Sequence, residues 1–257
     1  MDAHQDRREF KFLLPREKFE VVRAEVAEFL SVDRGARDGY RILSEYFDSD
    51  DRDSYWEKVF GLPNRRRIRT RVYGTPGSGR ALTRFIEIKH KQDGLTVKRR
   101  LPACDEELEA FVKGELPEQA EEEDLRVHAE LAELLQRPPK SPVVRIQYHR
   151  FAYDSGVDGT IRITFDTDVR CGFAHVRLCE DAPEPELPLL DEGWAIMEVK
   201  TIGPVPYWFR SLIGKHSISP QGFSKYAVAL ERYELGKNPP LPLHDPEQPV
   251  RRHCSIQ

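Results

Sequence analysis

Five arginines lie within seven positions of the segment "RRRIRTRVYG", Arg65 to Gly74. Like charges at this density repel one another, and at about 6 Å with an effective dielectric near 20 each pair costs roughly 3 kcal/mol. The row therefore predicts an anionic ligand. One interpretation is a wall of a phosphate site, because a guanidinium binds phosphate oxygens in a bidentate geometry. A nucleic-acid patch and a solvated edge strand are the alternatives.

Charged side chains alternate with apolar ones in six segments of the chain. Successive side chains of a strand point to opposite faces, so each segment has one charged and one apolar face. The charged faces carry Arg7, Glu9 and Lys11; Arg67, Arg69 and Arg71; Glu87, Lys89 and Lys91; Lys98 and Arg100; Arg162, Thr164 and Asp166; and Glu198 and Lys200. Cations outnumber carboxylates on these faces. An ordinary half-buried sheet would instead present a mixed polar face to water.

Short alternating segments bounded by turn residues are predicted strands. There are eight: "REFKFLL", "YRILSEYFD", "RRIRTRVYG", "RFIEIKHK", "LTVKRRL", "VVRIQYHRFAY", "TIRITFDTDV" and "AIMEVKT". Segments with helical periodicity are "PREKFEVVRAEVAEFL", "DEELEAFVKGEL", "EEEDLRVHAELAELLQR", "PYWFRSLIGKH" and "SKYAVALERYEL". The predicted fold is α+β, an antiparallel β-barrel of about eight strands. Its charged face lines a tunnel and its apolar face lies outward, beneath amphipathic helices.

The chain has 257 residues, a formal net charge of −4 and 39% hydrophobic residues, as expected for a globular protein without general affinity for nucleic acid. No apolar run reaches the roughly 20 residues of a membrane span, and the N-terminus is too polar for a signal peptide, so we expect a cytoplasmic protein. We predict one domain over residues 1–236. A disordered tail is predicted over 237–257, where the apolar period ends.

Two further motifs have alternative interpretations. "GTPGSGR", Gly74 to Arg80, is glycine-rich like a phosphate loop, but it lacks the GK(S/T) ending and is predicted to be a hairpin loop. The aspartates of "YFDSDDRDSYW" lack the spacing of a calcium loop, and turn or helix-cap use is favoured.

Eight segments, taken in order, resemble the catalytic domain of the vacuolar transporter chaperone family, the polyphosphate polymerases of the triphosphate tunnel metalloenzyme superfamily. They are "REFKFLL", "IRTRVYG", "FIEIKHK", "TVKRRL", "PVVRIQYHRFAY", "IRITFDTD", "IMEVKT" and "GFSKYAVAL", and the resemblance runs from about Arg8 to Glu234. That family has a tunnel of antiparallel strands, in agreement with the alternation.

The resemblance, together with the charged rows, assigns candidate site residues. Catalytic roles are implied for Lys11, Arg69, Arg71, Lys89, Lys200 and Lys225. Phosphate binding is implied for Arg67, Lys98, Arg100, Arg145, Arg150, Arg162 and Ser224. Glu198 of "EVK" and Glu87 of "ExK" are the candidate metal ligands. Parity alone leaves open which of Arg145, Arg150 and Arg162 face the tunnel.

The implied activity is transfer of the γ-phosphate of ATP onto a polyphosphate chain with Mn²⁺ or Mg²⁺. ATP, triphosphate and polyphosphate are the implied ligands, and a membrane protein is an implied partner. The alternatives are an inorganic triphosphatase or polyphosphatase and a non-catalytic polyphosphate-binding module. The triphosphatase branch begins with ExExK, whereas Arg7 stands here at the first position, which removes one carboxylate and disfavours simple hydrolysis.

Overall fold

The structure is a computed structural model that describes residues 7–33, 38–75, 81–92, 95–117, 124–136, 138–156, 159–173 and 185–235. The predicted tail, residues 76–80 of the glycine-rich segment and residues 174–184 lie outside this part of the chain. The tail therefore stays a prediction. In the described part, no helix is both long and apolar enough to cross a bilayer.

One antiparallel sheet organises the domain, and all eight predicted strands occur in it. Its long strands are β1 (Arg7–Leu14), β3 (Tyr40–Asp48), β4 (Arg65–Tyr73), β5 (Thr83–Gln92), β6 (Leu95–Pro102), β7 (Ser141–Asp154), β8 (Ile161–Phe173) and β10 (Ala195–Ile202). They follow the order β1-β10-β8-β7-β3-β4-β5-β6, while the short strands β2 (Ser31–Val32) and β9 (Leu187–Pro188) pair with β7 and β8. The predicted α+β class is confirmed.

Six helices accompany the sheet among the described residues. They are α1 (Arg16–Phe29), α2 (Asp53–Val59), α3 (Asp105–Val112), α4 (Leu125–Gln136), α5 (Tyr207–Lys215) and α6 (Lys225–Leu235). Five match predicted helices, and α2 was not predicted. The Asp48 carboxylate accepts hydrogen bonds from the backbone N–H groups of Ser54 and Tyr55, at 2.9 and 3.2 Å, in the first turn of α2. One aspartate of the acidic segment thus serves as a helix cap.

The apolar strand faces lie outward beneath helices, as predicted. One core joins β1, β8 and β10 to α1 and α5 through Phe12, Phe165, Val199, Phe19 and Phe209. A second joins β3, β4 and β5 to α3 and α4 through Phe47, Ile68, Ile86, Phe111 and Leu131. Both cores are made largely of fully buried side chains, so the outer, convex face of the sheet is dry.

Helix α6 departs from the predicted arrangement because it packs inside the curl of the sheet. Tyr226 and Leu230 of α6 join a third core with Tyr46, Ile146 and Tyr148. The Tyr148 hydroxyl in turn accepts a hydrogen bond from the charged row of β4. The helix therefore narrows the space that the charged side chains face.

The sheet curls into a half-barrel. Strands β1 and β6 end its hydrogen-bonded order. Burial and then the charge of Lys11 on β1 lower the pKa of Lys89 to about 8, and β5, which carries Lys89, is next to the last strand of the order, so charges near the two ends of the sheet act on one another. We call the inner side the concave face. It carries the side chains that were predicted to line a tunnel.

Candidate functional site

Arg69 lies at the middle of the concave face and is held by a buried carboxylate. Its Nε and Nη2 atoms donate to Glu87 at 2.8 and 2.6 Å, and its Nη1 donates to the Tyr46 hydroxyl at 3.1 Å. Burial opposes ionisation of Glu87, but Arg69 and Arg71 outweigh it and lower its pKa to about 2. Glu87 is therefore a permanent anion that orients Arg69. Both bonds from Arg69 go to Oε2 of Glu87, and Oε1 accepts from the Tyr73 hydroxyl at 3.3 Å, so Glu87 is not a free metal ligand in this arrangement.

Arg71 is buried, and no carboxylate of the described residues forms an ion pair with it. Its guanidinium donates to the hydroxyls of Ser44, Tyr148 and Tyr73 at 2.9, 2.8 and 3.2 Å, and the residue is 4% exposed. A buried cation held only by neutral hydroxyls keeps most of its charge uncompensated. Arg71 is thus prepared to bind an anion.

Two lysines on the neighbouring strands have lowered pKa values. Lys89 is paired with Arg67 across β4 and β5, and Lys98 with Lys89 across β5 and β6. Desolvation by the surrounding protein and the charges of Arg69, Lys200 and Arg71 lower the pKa of Lys98 to about 7, but Lys98 lies on the edge strand β6 and reaches water, which screens the effect. Desolvation and, after it, like-charge repulsion on the concave face therefore both favour the neutral form of these two lysines.

This repulsion gives a pH dependence for anion binding. A polyanion favours the charged form of Lys89 and Lys98, so binding takes up protons above their pKa values of about 8 and about 7. We expect the affinity for tripolyphosphate to fall by at least about tenfold between roughly pH 7 and 9. Calorimetric titration across this range measures it.

The Lys98→Gln substitution should flatten part of that pH slope. Arg99→Gln is the matched control, because Arg99 is the adjacent residue of β6 and donates to Glu130 of α4 at 2.7 Å on the convex side. A pH slope that is the same in the wild type and in Lys98→Gln would contradict the explanation.

A carboxylate lies among lysines on the other side of the concave face. Glu198 of β10 contacts Lys200, and its Oε2 lies 3.8 Å from Nζ of Lys11, which also lies 3.4 Å from Oε1 of Glu9. Burial opposes ionisation of Glu198, but Lys200 and Lys11 hold its pKa well below the usual range. The carboxylate oxygens of Glu198 and Glu9 therefore lie on either side of the Lys11 ammonium, where they could serve as metal ligands.

Residues of β7, β8 and α6 form a second buried ionic group. Asp166 accepts from Arg150 at 2.6 and 2.8 Å and from Lys225, the first residue of α6. The Lys225 ammonium also lies 4.6 Å from the centre of the Tyr148 ring. Ser224 accepts from the Ala227 N–H at 3.4 Å, so it caps α6 beside this group. The sequence analysis placed Asp166 on the charged face of its strand but gave it no role. That placement was the one feature of the sequence that indicated a position near the site.

Three predicted phosphate-binding arginines lie towards the ends of the concave face. Arg162 donates to Asp33 at 2.5 Å, Arg67 donates to the Ser54 carbonyl at 3.1 Å, and the Arg100 guanidinium lies 4.8 Å from the centre of the Phe85 ring. Each is paired across neighbouring strands with a central residue, Arg100 with Glu87, Arg67 with Lys89 and Arg162 with Lys200, so the three flank the centre of the concave face.

Arg145 lies on the convex side of the sheet. Its guanidinium donates to Glu45 at 3.1 and 2.5 Å, and the two residues are 2% and 0% exposed. Leu43 and Phe47, which share the face of Glu45 on β3, belong to the core beneath α3 and α4. Of the three arginines whose orientation the sequence left undecided, Arg150 and Arg162 lie on the concave face and Arg145 does not. Arg145 has a structural role, and its predicted phosphate role does not fit this position.

The sequence analysis did not identify the tyrosines that hydrogen-bond to the arginines of the concave face. Tyr46, Tyr73 and Tyr148 accept hydrogen bonds from Arg69 or Arg71. Burial opposes ionisation of Tyr46, but Arg69 and Arg71 lower its pKa to about 7. Their position on the charged face of each strand was a signal, although a tyrosine there reads equally well as core.

Fold and site together define a half-barrel with a cationic, partly buried concave face. Residues 6–233 match the model of the VTC domain family, and the chain belongs to that family.

Curated relatives include subunit 4 of the vacuolar transporter chaperone complex from two organisms. The Trypanosoma brucei brucei protein and the Schizosaccharomyces pombe protein are each 27% identical to this chain. The alignments cover 74% of this chain but 28% and 31% of those proteins, so the chain spans less than a third of their length.

Similar solved structures include two prokaryotic proteins. A Pyrococcus horikoshii OT3 protein has a TM-score of 0.45 at 15% identity, covering 88% of this chain and 99% of its own. A Bacillus halodurans protein named as a candidate adenylate cyclase has a TM-score of 0.48 at 11% identity, covering 86% and 93%.

Proposed function

We propose that this domain transfers the γ-phosphate of ATP onto a polyphosphate chain bound along the concave face, with Mn²⁺ or Mg²⁺. Membership of the VTC domain family supports the proposal, as does the similarity to subunits of the vacuolar transporter chaperone complex. By the same similarity we propose that the domain works with partner proteins in such a complex, on the cytoplasmic side of a membrane.

The observation that carries the proposal is the buried Arg71, whose hydrogen-bond partners among the described residues are all hydroxyls, beside two lysines with lowered pKa values. Phosphoryl transfer needs the reacting groups held in line and the equatorial phosphate oxygens neutralised. Fixed donors in a partly dry site perform this better than water. Arg69 and Arg71 would bind phosphate oxygens in a bidentate geometry. Four lysines would act as point charges along the polyphosphate chain: Lys11, Lys89, Lys200 and Lys225.

The residues fit a divalent ion that is shared with the substrate. The described residues contain no group of three or more His, Cys, Asp and Glu side chains that could hold a metal alone. Mg²⁺ and ions like it are commonly held by one or two carboxylates plus substrate phosphates. Glu198, whose low pKa keeps it ionised, would hold the ion with Glu9 as a second donor. When bound, the ion supplies charge neutralisation to the phosphates. Lys11 and Lys200 would then turn from Glu198 to phosphate.

The test is incubation of the purified protein with ATP and Mn²⁺, followed by gel analysis of the product. We expect long polyphosphate to accumulate, and none to form when the divalent ion is chelated. Release of free phosphate without polymer would instead establish a triphosphatase. Binding of tripolyphosphate with neither product would establish a binding module.

A further inference from the structure

A cavity of about 630 Å³ lies at one end of the half-barrel, beside α2 and between the start of β4 and the end of β5. The residues that matter here are Trp56, Glu57, Arg65, Arg66, Lys91 and Lys140. None of these six was given a role above.

Strand register places one wall of the cavity in line with the cationic row, while Arg66, His90 and Leu134 form another wall towards α4. Across β4 and β5, Arg69 is paired with Glu87, Arg67 with Lys89 and Arg65 with Lys91. Paired residues of an antiparallel ladder share a face, and pairs two residues apart lie about 7 Å apart along the strands. Arg65 and Lys91 are therefore the next step beyond Arg67 and Lys89, in line with Arg69, and both line the cavity.

Cations at the cavity have charge available for a ligand. The ammonium groups of Lys91 and Lys140 make no hydrogen bond or ion pair within the described ranges. Arg65 is held by neutral carbonyls, donating to Leu62 at 2.8 Å and to Glu57 at 3.4 Å. Arg66 differs, since Glu130 and Glu133 of α4 already neutralise it at 3.3 and 3.6 Å.

Two carboxylates, Asp53 and Glu57, also line the cavity, and neither excludes an anionic ligand. Asp53 accepts from the Ser49 hydroxyl at 2.9 Å at the start of α2. Glu57 has a buried Oε2 without a hydrogen-bond partner in the described part of the chain. Burial raises the pKa of Glu57, with Asp48 and Asp53 acting in the same direction against Lys140. Glu57 is therefore easier to protonate than an ordinary glutamate, and its protonated form would donate a hydrogen bond to a phosphate oxygen.

We infer that this cavity is a second polyanion subsite, which holds the phosphates of a long polyphosphate chain that extend beyond Arg67 and Lys89. The inference rests on the proposed function, because it assumes that the central phosphates lie at Arg69 and Arg71. It adds a consequence: the domain distinguishes long chains from triphosphate. Simultaneous contact with two linked subsites strengthens binding without any change at the first.

Trp56 provides a reporter for this subsite. It lines the cavity, and its ring is stacked on Phe60 with centroids 5.7 Å apart. The chain has three tryptophans, and a fluorescence change that disappears in Trp56→Phe belongs to this one. We expect long-chain polyphosphate to change Trp56 fluorescence and tripolyphosphate to leave it unchanged.

The decisive comparison is calorimetric titration of the full chain with tripolyphosphate and with long-chain polyphosphate. It is done at physiological salt, where exposed charges more than about 8 Å apart are largely screened. We expect Lys91→Gln with Lys140→Gln to weaken long-chain binding about tenfold and to leave tripolyphosphate binding unchanged. The control is Lys58→Gln with Lys113→Gln, which removes the same charge from α2 and from the end of α3, outside the cavity lining.

The outcomes separate this inference from the proposed function. Unchanged long-chain affinity in the Lys91 and Lys140 variant would overturn the subsite, and so would an equal loss for both ligands. A wild type that binds no tripolyphosphate would overturn the proposed function and the subsite with it. Loss confined to the long chain, together with the Trp56 signal, would establish the subsite.

Discussion

Tripolyphosphate is expected to raise the melting temperature of the wild-type protein, and Arg69→Ala with Arg71→Ala is expected to abolish the rise. At a ligand concentration of 100 times Kd, binding to the folded state adds about 2.7 kcal/mol to the free energy of unfolding. For a domain of this size that corresponds to a rise of about 5 to 10 °C. The two guanidiniums are 6% and 4% exposed, so their contacts with phosphate are formed away from bulk water. Differential scanning fluorimetry measures the shift.

The free double variant is itself expected to be less stable, because removing Arg69 leaves the buried Glu87 without its ion-pair partner. Each variant is therefore compared with its own ligand-free form, and circular dichroism establishes that it folds. Arg71→Gln is a milder second variant, since Arg71 contacts only hydroxyls. The matched control is Arg66→Ala with Arg99→Ala, which removes two arginines that pair with Glu130 on the convex side. A full rise in the Arg69 and Arg71 variant would place the ligand elsewhere.

Glu198→Gln is expected to lower the rate of polymer formation from ATP by about 10- to 100-fold, the scale seen when a metal site loses a supporting group. The amide keeps the size of the side chain but loses the charge that would hold the divalent ion. Binding of tripolyphosphate should be retained, because the change removes a negative charge beside Lys11 and Lys200. The rate of polymer formation and the thermal shift are measured on the same preparation.

Glu192→Gln is the control for this substitution, since the Glu192 side chain is 96% exposed and lies away from the concave face, next to Arg16. Undiminished polymer formation in Glu198→Gln would remove Glu198 from the proposed metal site. Loss of both polymer formation and tripolyphosphate binding would show instead that Glu198 organises the lysines.

Most of the fold could be predicted from the alternation of charged and apolar residues along the strands. The segments around Lys11, Arg69 and Lys89 have a strict period of two with one apolar face, and that face must be buried. Their strands and faces were therefore predictable. Parity became uncertain where a strand is irregular. The register between β7 and β8 shifts at Gln147 to His149, and Asp168 has a positive φ of 45°.

Odd-numbered residues of β8 face the convex side before this irregularity and the concave side after it. Phe165 belongs to the core under α1, whereas Val169 and Cys171 belong to the core with α6. No local pattern records such a switch. Nor does a pattern record that α6 packs inside the curl, because an amphipathic helix shows that it has a buried face and not which surface covers it. Arg145 was misplaced for a related reason: its buried partner Glu45 is distant in sequence.

Binding of a polyphosphate chain along the concave face is best tested by calorimetric titration of the wild-type protein with tripolyphosphate. We expect saturable binding of one chain per protein, weakened by added salt and lost in Arg69→Ala with Arg71→Ala. Absence of binding, or equal binding by that variant, would contradict it.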